Sequence, residues 1–272
     1  MAERAPKQAN RYTAIIERLF FNNFKKGSGE VSFVREEIEI IAAKLGIKLP
    51  KNLGDIVYSF RYRNDLPESV AKMAPVGKTW VIRPAGKGKY KFVAGSFHPI
   101  APNLSLFETK IPDATPGIID MYAMSDEQAL LAKLRYNRLL DIFTGLTCCS
   151  LQSHFRTTVD GMGQVETDEI YVGLDRRGVH YVIPVQAKGW TDRLNVVQIE
   201  QDIAVCAEKF PNLVCKPVAA QFMAGNLIAL FAFEEGDSGV GLIAEKHYRL
   251  VPAESVTVDD LKRYGQRSDD QF

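Results

Sequence analysis

Long apolar runs are missing from this chain. None approaches the roughly eighteen residues that a membrane-spanning helix needs, so no membrane partner is expected. Cysteine is scarce: Cys148, Cys149, Cys206 and Cys215 are the four present, and none shows the C-x-x-C spacing of a zinc site. The stretch from Met1 to Tyr12 has no apolar segment. No signal peptide or disulfide framework is therefore expected, and a cytoplasmic location with reduced thiols is. Charge of either sign is not in excess, with 34 basic and 33 acidic side chains and a net charge of +1. A nucleic-acid partner would have to be held by local patches rather than by overall charge. No repeat or low-complexity tract is visible. What is present is an ordinary globular composition, 46% hydrophobic and 25% charged over 272 residues, enough for one large domain or two ordinary ones.

The two halves differ in pattern. From Ala14 to Phe24, Ile15, Ile16, Leu19 and Phe20 recur at helical spacing, and Gly27 and Gly29 break the run. Ser32 is suited to cap a second helix whose inner side holds Phe33, Val34, Ile38, Ile41, Ala42 and Leu45, with Gly46 as its stop. Asn52 is placed to cap a third helix, with Leu53, Ile56, Val57 and Phe60 inward, Tyr58 and Ser59 outward, and Arg61 and Arg63 at its end. Two strand-like runs follow, Thr79 to Arg83 and Tyr90 to Val93, joined by a basic, glycine-rich loop that holds Lys87 and Lys89. Three helices and a basic hairpin form the order of a winged helix-turn-helix, expected over residues 1–97. In that arrangement Arg61, Arg63, Lys87 and Lys89 would contact DNA phosphates. The alternative for the same elements is a packing or dimerisation role. Residues 98–124 are rich in Pro, Asn and Gly and read as a linker.

From residue 125 onward the pattern predicts α-β-β-β-α-β with one further strand. A helix is expected from Ser125 to Phe143, with Leu130, Leu131, Leu134, Leu139 and Ile142 on its apolar side. Three strand runs follow: Leu151 to Val159, Gln164 to Leu174 and Val179 to Ala187. Short glycine-containing turns join them, which predicts an antiparallel meander. Asn195 to Lys209 is an amphipathic helix, Val214 to Phe222 and Leu227 to Phe233 are apolar strands, and the tail after Asp259 is polar.

The chemistry concentrates on the second and third runs. Asp168 and Lys188 lie twenty positions apart, each at the end of a predicted strand. Residues i and i+2 share a strand face, so Gln186 goes with Lys188, and Glu166 with Asp168. A hairpin of the right register brings the two pairs together. Asp168 offers a carboxylate, Gln186 a side-chain carbonyl and Ala187 a backbone carbonyl, which are hard oxygen donors of the kind that hold Mg²⁺. Lys188 offers a cation able to orient or help deprotonate a water. Glu166 is a reserve ligand. The bland alternative is that Asp168 and Glu169 are solubilising edge charges and Lys188 a solvated strand end. The nearly continuous apolar run into Gln186 and Lys188 instead suits a buried strand that emerges into a cleft.

This constellation resembles the PD-(D/E)xK nuclease superfamily, the restriction-endonuclease-like fold, over roughly residues 125 to 233. Asp168 matches the first acid and Lys188 the lysine. Gln186 stands where a second acid is usual, a Q-x-K variant similar to the Mrr-like branch of restriction enzymes. The resemblance implies a contribution from the preceding helix, for which Asp141 and Asn137 are the candidates; Glu127 is placed lower because it lies near the helix's far end. His154 and Arg156, on one face of the first strand, and Gln198, on the following helix, are candidates for reaching DNA. The resulting expectation is a Mg²⁺-dependent type II restriction endonuclease that cuts double-stranded DNA as a homodimer. The alternatives are a structure-specific repair or junction-resolving nuclease, and a winged-helix DNA-binding regulator whose second domain is catalytically inactive.

Overall fold

The computed structural model describes residues 11–62, 64–95, 100–122, 127–189, 192, 194–236 and 239–267. The chain is mixed α/β and divides into two compact units, the first holding 1–99 and 160–163 and the second 100–159 and 164–272. Among the described residues no helix is long and apolar enough to cross a membrane.

The first unit runs α1 (Thr13–Asn23), β1 (Glu30–Val34), α2 (Arg35–Leu45), α3 (Gly54–Tyr62), α4 (Glu68–Ala71), β2 (Thr79–Pro84) and β3 (Lys89–Gly95). Its three strands form an antiparallel sheet in the order β1-β3-β2. The three expected helices and the basic hairpin are present. The segment around Ser32 differs from expectation. Ser32, Phe33 and Val34 belong to β1 rather than to a helix, because Phe33 pairs with Tyr90 and its ring stacks there. Helix α2 starts two residues later, with Val34 as its cap, where the Glu37 carboxylate accepts from the Val34 N–H at 2.9 Å. Gly46 ends it with φ +66°, a conformation glycine adopts without strain. The core is aromatic, with Phe20 edge-on to Trp80 and Phe92, and Ile15, Ile16, Ile38 and Ile56 fully buried around it.

The second unit runs β4 (Glu108–Pro112), α5 (Gly117–Tyr122), α6 (Glu127–Tyr136), α7 (Leu139–Thr144), β5 (Thr147–Val159), β6 (Gly163–Leu174), β7 (His180–Lys188), α8 (Val196–Lys209), β8 (Val214–Cys215), β9 (Val218–Met223), β10 (Leu227–Gly236), β11 (Gly239–Val251) and α9 (Val258–Gly265). Among the described residues its sheet has eight strands. Seven follow the order β4-β11-β10-β9-β7-β6-β5, and β8 pairs with β7. Strands β6 and β7 are antiparallel, whereas β7 and β9 are parallel and joined through α8.

Helices α6 and α7 cover one face, where Leu130, Leu134, Leu140 and Phe143 pack with Ile183, Val185 and Ala187. Helix α8 covers the other, where Ile199 packs with Ala219 and Phe231, and Cys206 with Ile170 and Val182. Strand β7 is therefore buried on both faces, which is why its sequence is a continuous apolar run rather than an alternating one. Each fully buried Leu or Ile in these layers stabilises the fold by about 1.5–3 kcal/mol.

Two further expectations need correction. The single helix expected over 125–143 is two helices, broken at Arg138, whose φ of 50° is left-handed. Ser125 lies outside the described residues. The linker expected over 98–124 contains β4, paired in parallel with β11, and α5, so it extends the sheet. The polar tail holds α9, and Asp260 on it is buried against Lys110 at 2.9 Å.

Candidate functional site

Strands β6 and β7 pair in register from Glu169 opposite Val185 to Leu174 opposite His180. Beyond Val185 the side chain of Asp168 takes over from the ladder, its Oδ2 accepting the Ala187 N–H at 2.8 Å. Strand alternation also breaks here. Thr167 hydrogen-bonds Asp202 of α8, whereas Glu169 pairs with Arg135 of α6 on the opposite face at 2.6 Å. The end of the hairpin is thus opened, and side chains of both strands converge in the opening.

Lys188 is at the centre. Its Nζ donates to Glu127 Oε1 at 2.8 Å and to the Ala187 carbonyl at 2.9 Å, and lies 3.8 Å from Asp168 Oδ2. The Lys188 side chain is only 8% exposed, so both ion pairs are formed largely out of water. Burial pushes the Asp168 carboxyl above its ordinary range, against the opposing pull of Lys188 and the Ala187 N–H, while the Glu127 and Glu166 charges add to the rise. Two carboxylates from different elements share one ammonium, which leaves an excess of negative charge at this point.

Gln186 is part of a second, buried cluster. Its Oε1 accepts from Gln198 Nε2 at 3.2 Å, and its Nε2 donates to Asp202 Oδ1 at 3.0 Å and approaches the Glu166 carbonyl at 3.4 Å. Asp202 Oδ1 also accepts from Thr167 Oγ1 at 2.6 Å. Burial raises the Asp202 carboxyl to about 8.

A third cluster lies on β5. His154, at φ 49° in a region non-glycine residues seldom occupy, places Nδ1 3.3 Å from Glu166 Oε1 and Nε2 2.9 Å from Gln128 Nε2. Arg156 Nε lies 3.0 Å from Glu166 Oε2. Burial works to raise the Glu166 carboxyl, and the Arg156 and His154 contacts outweigh it, leaving it lowered.

Comparison with protein-family models, curated proteins and solved structures finds no match to this chain.

Of the residues singled out from sequence, Asp168, Ala187 and Lys188 are brought together. Gln186 is beside them in the chain, but its carbonyl is engaged by Gln198, which corrects its assignment as a metal ligand. Gln198 is itself buried against Gln186, which corrects its placement on a DNA-facing surface. Glu166 is held by β5 rather than by the Lys188 cluster. Asp141 and Asn137 are corrected as helix contributors. Asp141 bonds Arg138 and the Cys148 N–H, and Asn137 is buried in bonds to the Ala114 N–H, Asp113 and Thr115. The helix residue that reaches Lys188 is Glu127. Helix α6 runs with its first turn, not its last, toward the end of β7. In the first unit, Lys87 and Lys89 are exposed on the β2–β3 hairpin, Arg61 is half-buried at the end of α3, and Arg63 lies outside the described residues.

Sequence reasoning placed Glu127 below Asp141 and Asn137, and missed Thr167 and Asp202. A signal for Asp202 was present: Gln198 and Asp202 are four apart on α8, on the face that also carries Val205, so polar side chains occupy positions that helical periodicity assigns to the core.

A divalent cation, which the resemblance implies, can be tested against these donors. Among the described residues no group of three His, Cys, Asp or Glu side chains is placed to hold a metal. Asp168, Glu127 and the Ala187 carbonyl are hard oxygens that gather around the Lys188 ammonium. Their chemistry is of the kind Mg²⁺ takes, since that ion keeps several waters and needs only one or two carboxylates.

Proposed function

We propose that this chain is a Mg²⁺-dependent endonuclease of the restriction-endonuclease-like fold, hydrolysing phosphodiester bonds of double-stranded DNA. One observation carries the proposal: Lys188, Asp168 and Glu127 converge, from three different elements, at the open end of the β6–β7 hairpin. The order helix, three strands, helix and parallel strand supports it, as does the order of elements in the first unit, which suits a winged helix. Asp168 and Glu127 would hold the metal together with the Ala187 carbonyl. Magnesium there supplies charge neutralisation at the phosphate and acidifies bound water. Lys188 orients the attacking water and offsets charge on the phosphate as it develops. His154 and Arg156, on β5, and Lys87, Lys89 and Arg61, in the first unit, supply contacts to DNA. Cutting both strands of a symmetric site requires two such centres, hence a homodimer. A type II restriction enzyme is the specific form proposed.

Lys188→Ala tests the site. Plasmid cleavage with Mg²⁺ should be abolished, while DNA binding in a gel-shift assay stays close to wild type. Undiminished cleavage by the variant would refute the site. Discrete bands from the wild type indicate sequence recognition, and structure-dependent cutting indicates a junction or repair enzyme. One observation favours a catalytically silent DNA-binding regulator: Gln186, at the usual second-acid position, is committed to Gln198 and Asp202. Absence of cleavage on linear, supercoiled and branched DNA would select that reading.

A further inference from the structure

Asp202 is 1% exposed and Gln198 9% exposed, one turn apart on the same face of α8. Each carries an acceptor with no partner: Asp202 Oδ2 and Gln198 Oε1. Of the influences on Asp202, the Lys188 charge is the smallest and follows burial, Thr167, Gln186 and Asp168. An ionised carboxylate here would have two neutral donors on one oxygen, nothing on the other, and an unsatisfied amide carbonyl beside it. Such groups are strongly disfavoured inside a protein. A single proton removes both defects. Carried on Asp202 Oδ2, it turns an orphan acceptor into a donor, and Gln198 Oε1 is the acceptor it needs.

The two bonds already in place then become a closed circuit. Asp202 donates to Gln198, Gln198 donates to Gln186 at 3.2 Å, and Gln186 donates back to Asp202 at 3.0 Å. We propose that protonated Asp202 closes a three-membered hydrogen-bonded ring with Gln198 and Gln186, and that this ring is the positioning device for the β7 end bearing Ala187 and Lys188. The ring is inferred from two bonds in place and two unpartnered acceptors one helical turn apart; its role in cleavage rests on the nuclease reading above.

The environment agrees. Burial is the dominant influence raising the Asp202 carboxyl, the Thr167 and Gln186 bonds oppose it, and the Asp168 charge adds to it while the Lys188 charge reduces it. Cys206, one turn further on α8, adds a thiol whose contact with Cys215, and then burial, hold it in its neutral form. The ring supplies a physical reason for glutamine at position 186. A glutamate there would offer no donor to Asp202 and would place a second carboxyl in the same buried volume. Glutamine completes the circuit on both sides.

Asp202→Asn retains an acceptor for Thr167 and Gln186 and supplies an N–H for Gln198; Asp202→Ala opens the ring. Three readouts test the proposal. At neutral pH the wild type should show the infrared carbonyl band of a buried carboxylic acid, which disappears in Asp202→Asn. In urea denaturation Asp202→Asn should be at least as stable as wild type and Asp202→Ala less so. In cleavage, Asp202→Ala should lower kcat about tenfold with KM for DNA unchanged, the signature of a displaced catalytic group, and Asp202→Asn should restore it. Absence of the infrared band, or Asp202→Asn as destabilised as Asp202→Ala, overturns the ring. The band and the stability pattern in a wild type that cuts no DNA would support the ring and overturn its part in cleavage together with the nuclease reading. Cleavage by wild type that Asp202→Ala leaves unaltered would overturn the positioning role alone.

Discussion

Replacing Lys188 by methionine keeps most of the side chain's apolar stem and removes its charge, so it isolates the electrostatic contribution to folding. In the native protein the ammonium, 8% exposed, serves Glu127 at 2.8 Å and Asp168 at 3.8 Å. Removing one member of a buried ion pair costs about 3–5 kcal/mol. The Glu127 side chain is 39% exposed and can recover part of its hydration, which places the expected loss near the lower end, about 3 kcal/mol. For a unit of this size that lowers Tm by about 6–12 °C.

The pH dependence identifies the cause. Asp168 is already raised by burial, and Lys188 is the largest influence holding it down, so the variant raises it further. A carboxyl whose folded-state value lies above its unfolded value of about 3.9 contributes fully at pH below the unfolded value. That contribution is lost as pH rises toward and through the folded value. The deficit of Lys188→Met should therefore be small near about pH 4 and largest at neutral pH and above. Urea denaturation of both proteins in chelator-containing buffer, at acid and at neutral pH, measures it. A neutral-pH deficit below about 1 kcal/mol would mean the pair behaves as a surface salt bridge and would refute the reasoning. A deficit of equal size at both pH values would refute the assignment of the cause to Asp168.

Three further outcomes follow from the positions of the acids and the lysines. Glu127→Gln should lower Mg²⁺-dependent cleavage by about tenfold to a hundredfold, as loss of a group supporting a metal does. Asp141→Asn should leave cleavage unchanged and lower thermal stability slightly, through its bonds to Arg138 and the Cys148 N–H; equal cleavage losses for the two variants, measured on one plasmid substrate, would contradict the placement. Lys87→Ala with Lys89→Ala should weaken DNA binding for every sequence alike. The slope of log affinity against log salt should fall by about 2, because two phosphate contacts are lost. An unchanged slope in a fluorescence-anisotropy titration would remove the hairpin from the DNA interface.

Local sequence determined much of this protein. Turn residues and period-two or continuous apolar runs located β2, β3, β6, β7 and β10, and Asn195 located the start of α8, where its side chain caps the Val197 N–H. The convergence of Asp168 and Lys188 was also legible, because a hairpin with one buried strand has few registers open to it. Strands whose existence depends on distant partners were not legible. Strand β4 owes its conformation to parallel pairing with β11, over a hundred residues on, and β1 to Tyr90 and Phe92. Tertiary structure alone decided which end of α6 meets β7, and so chose Glu127 over Asp141 and Asn137. The left-handed Arg138 splits the expected helix, and side-chain spacing along a single helix does not encode such a break. Tertiary structure also decided the role of Gln186. Alternation along β7 fixes only the face on which a side chain emerges. Whether a metal or a buried carboxyl waits on that face depends on α8, and Asp202 of that helix took the amide.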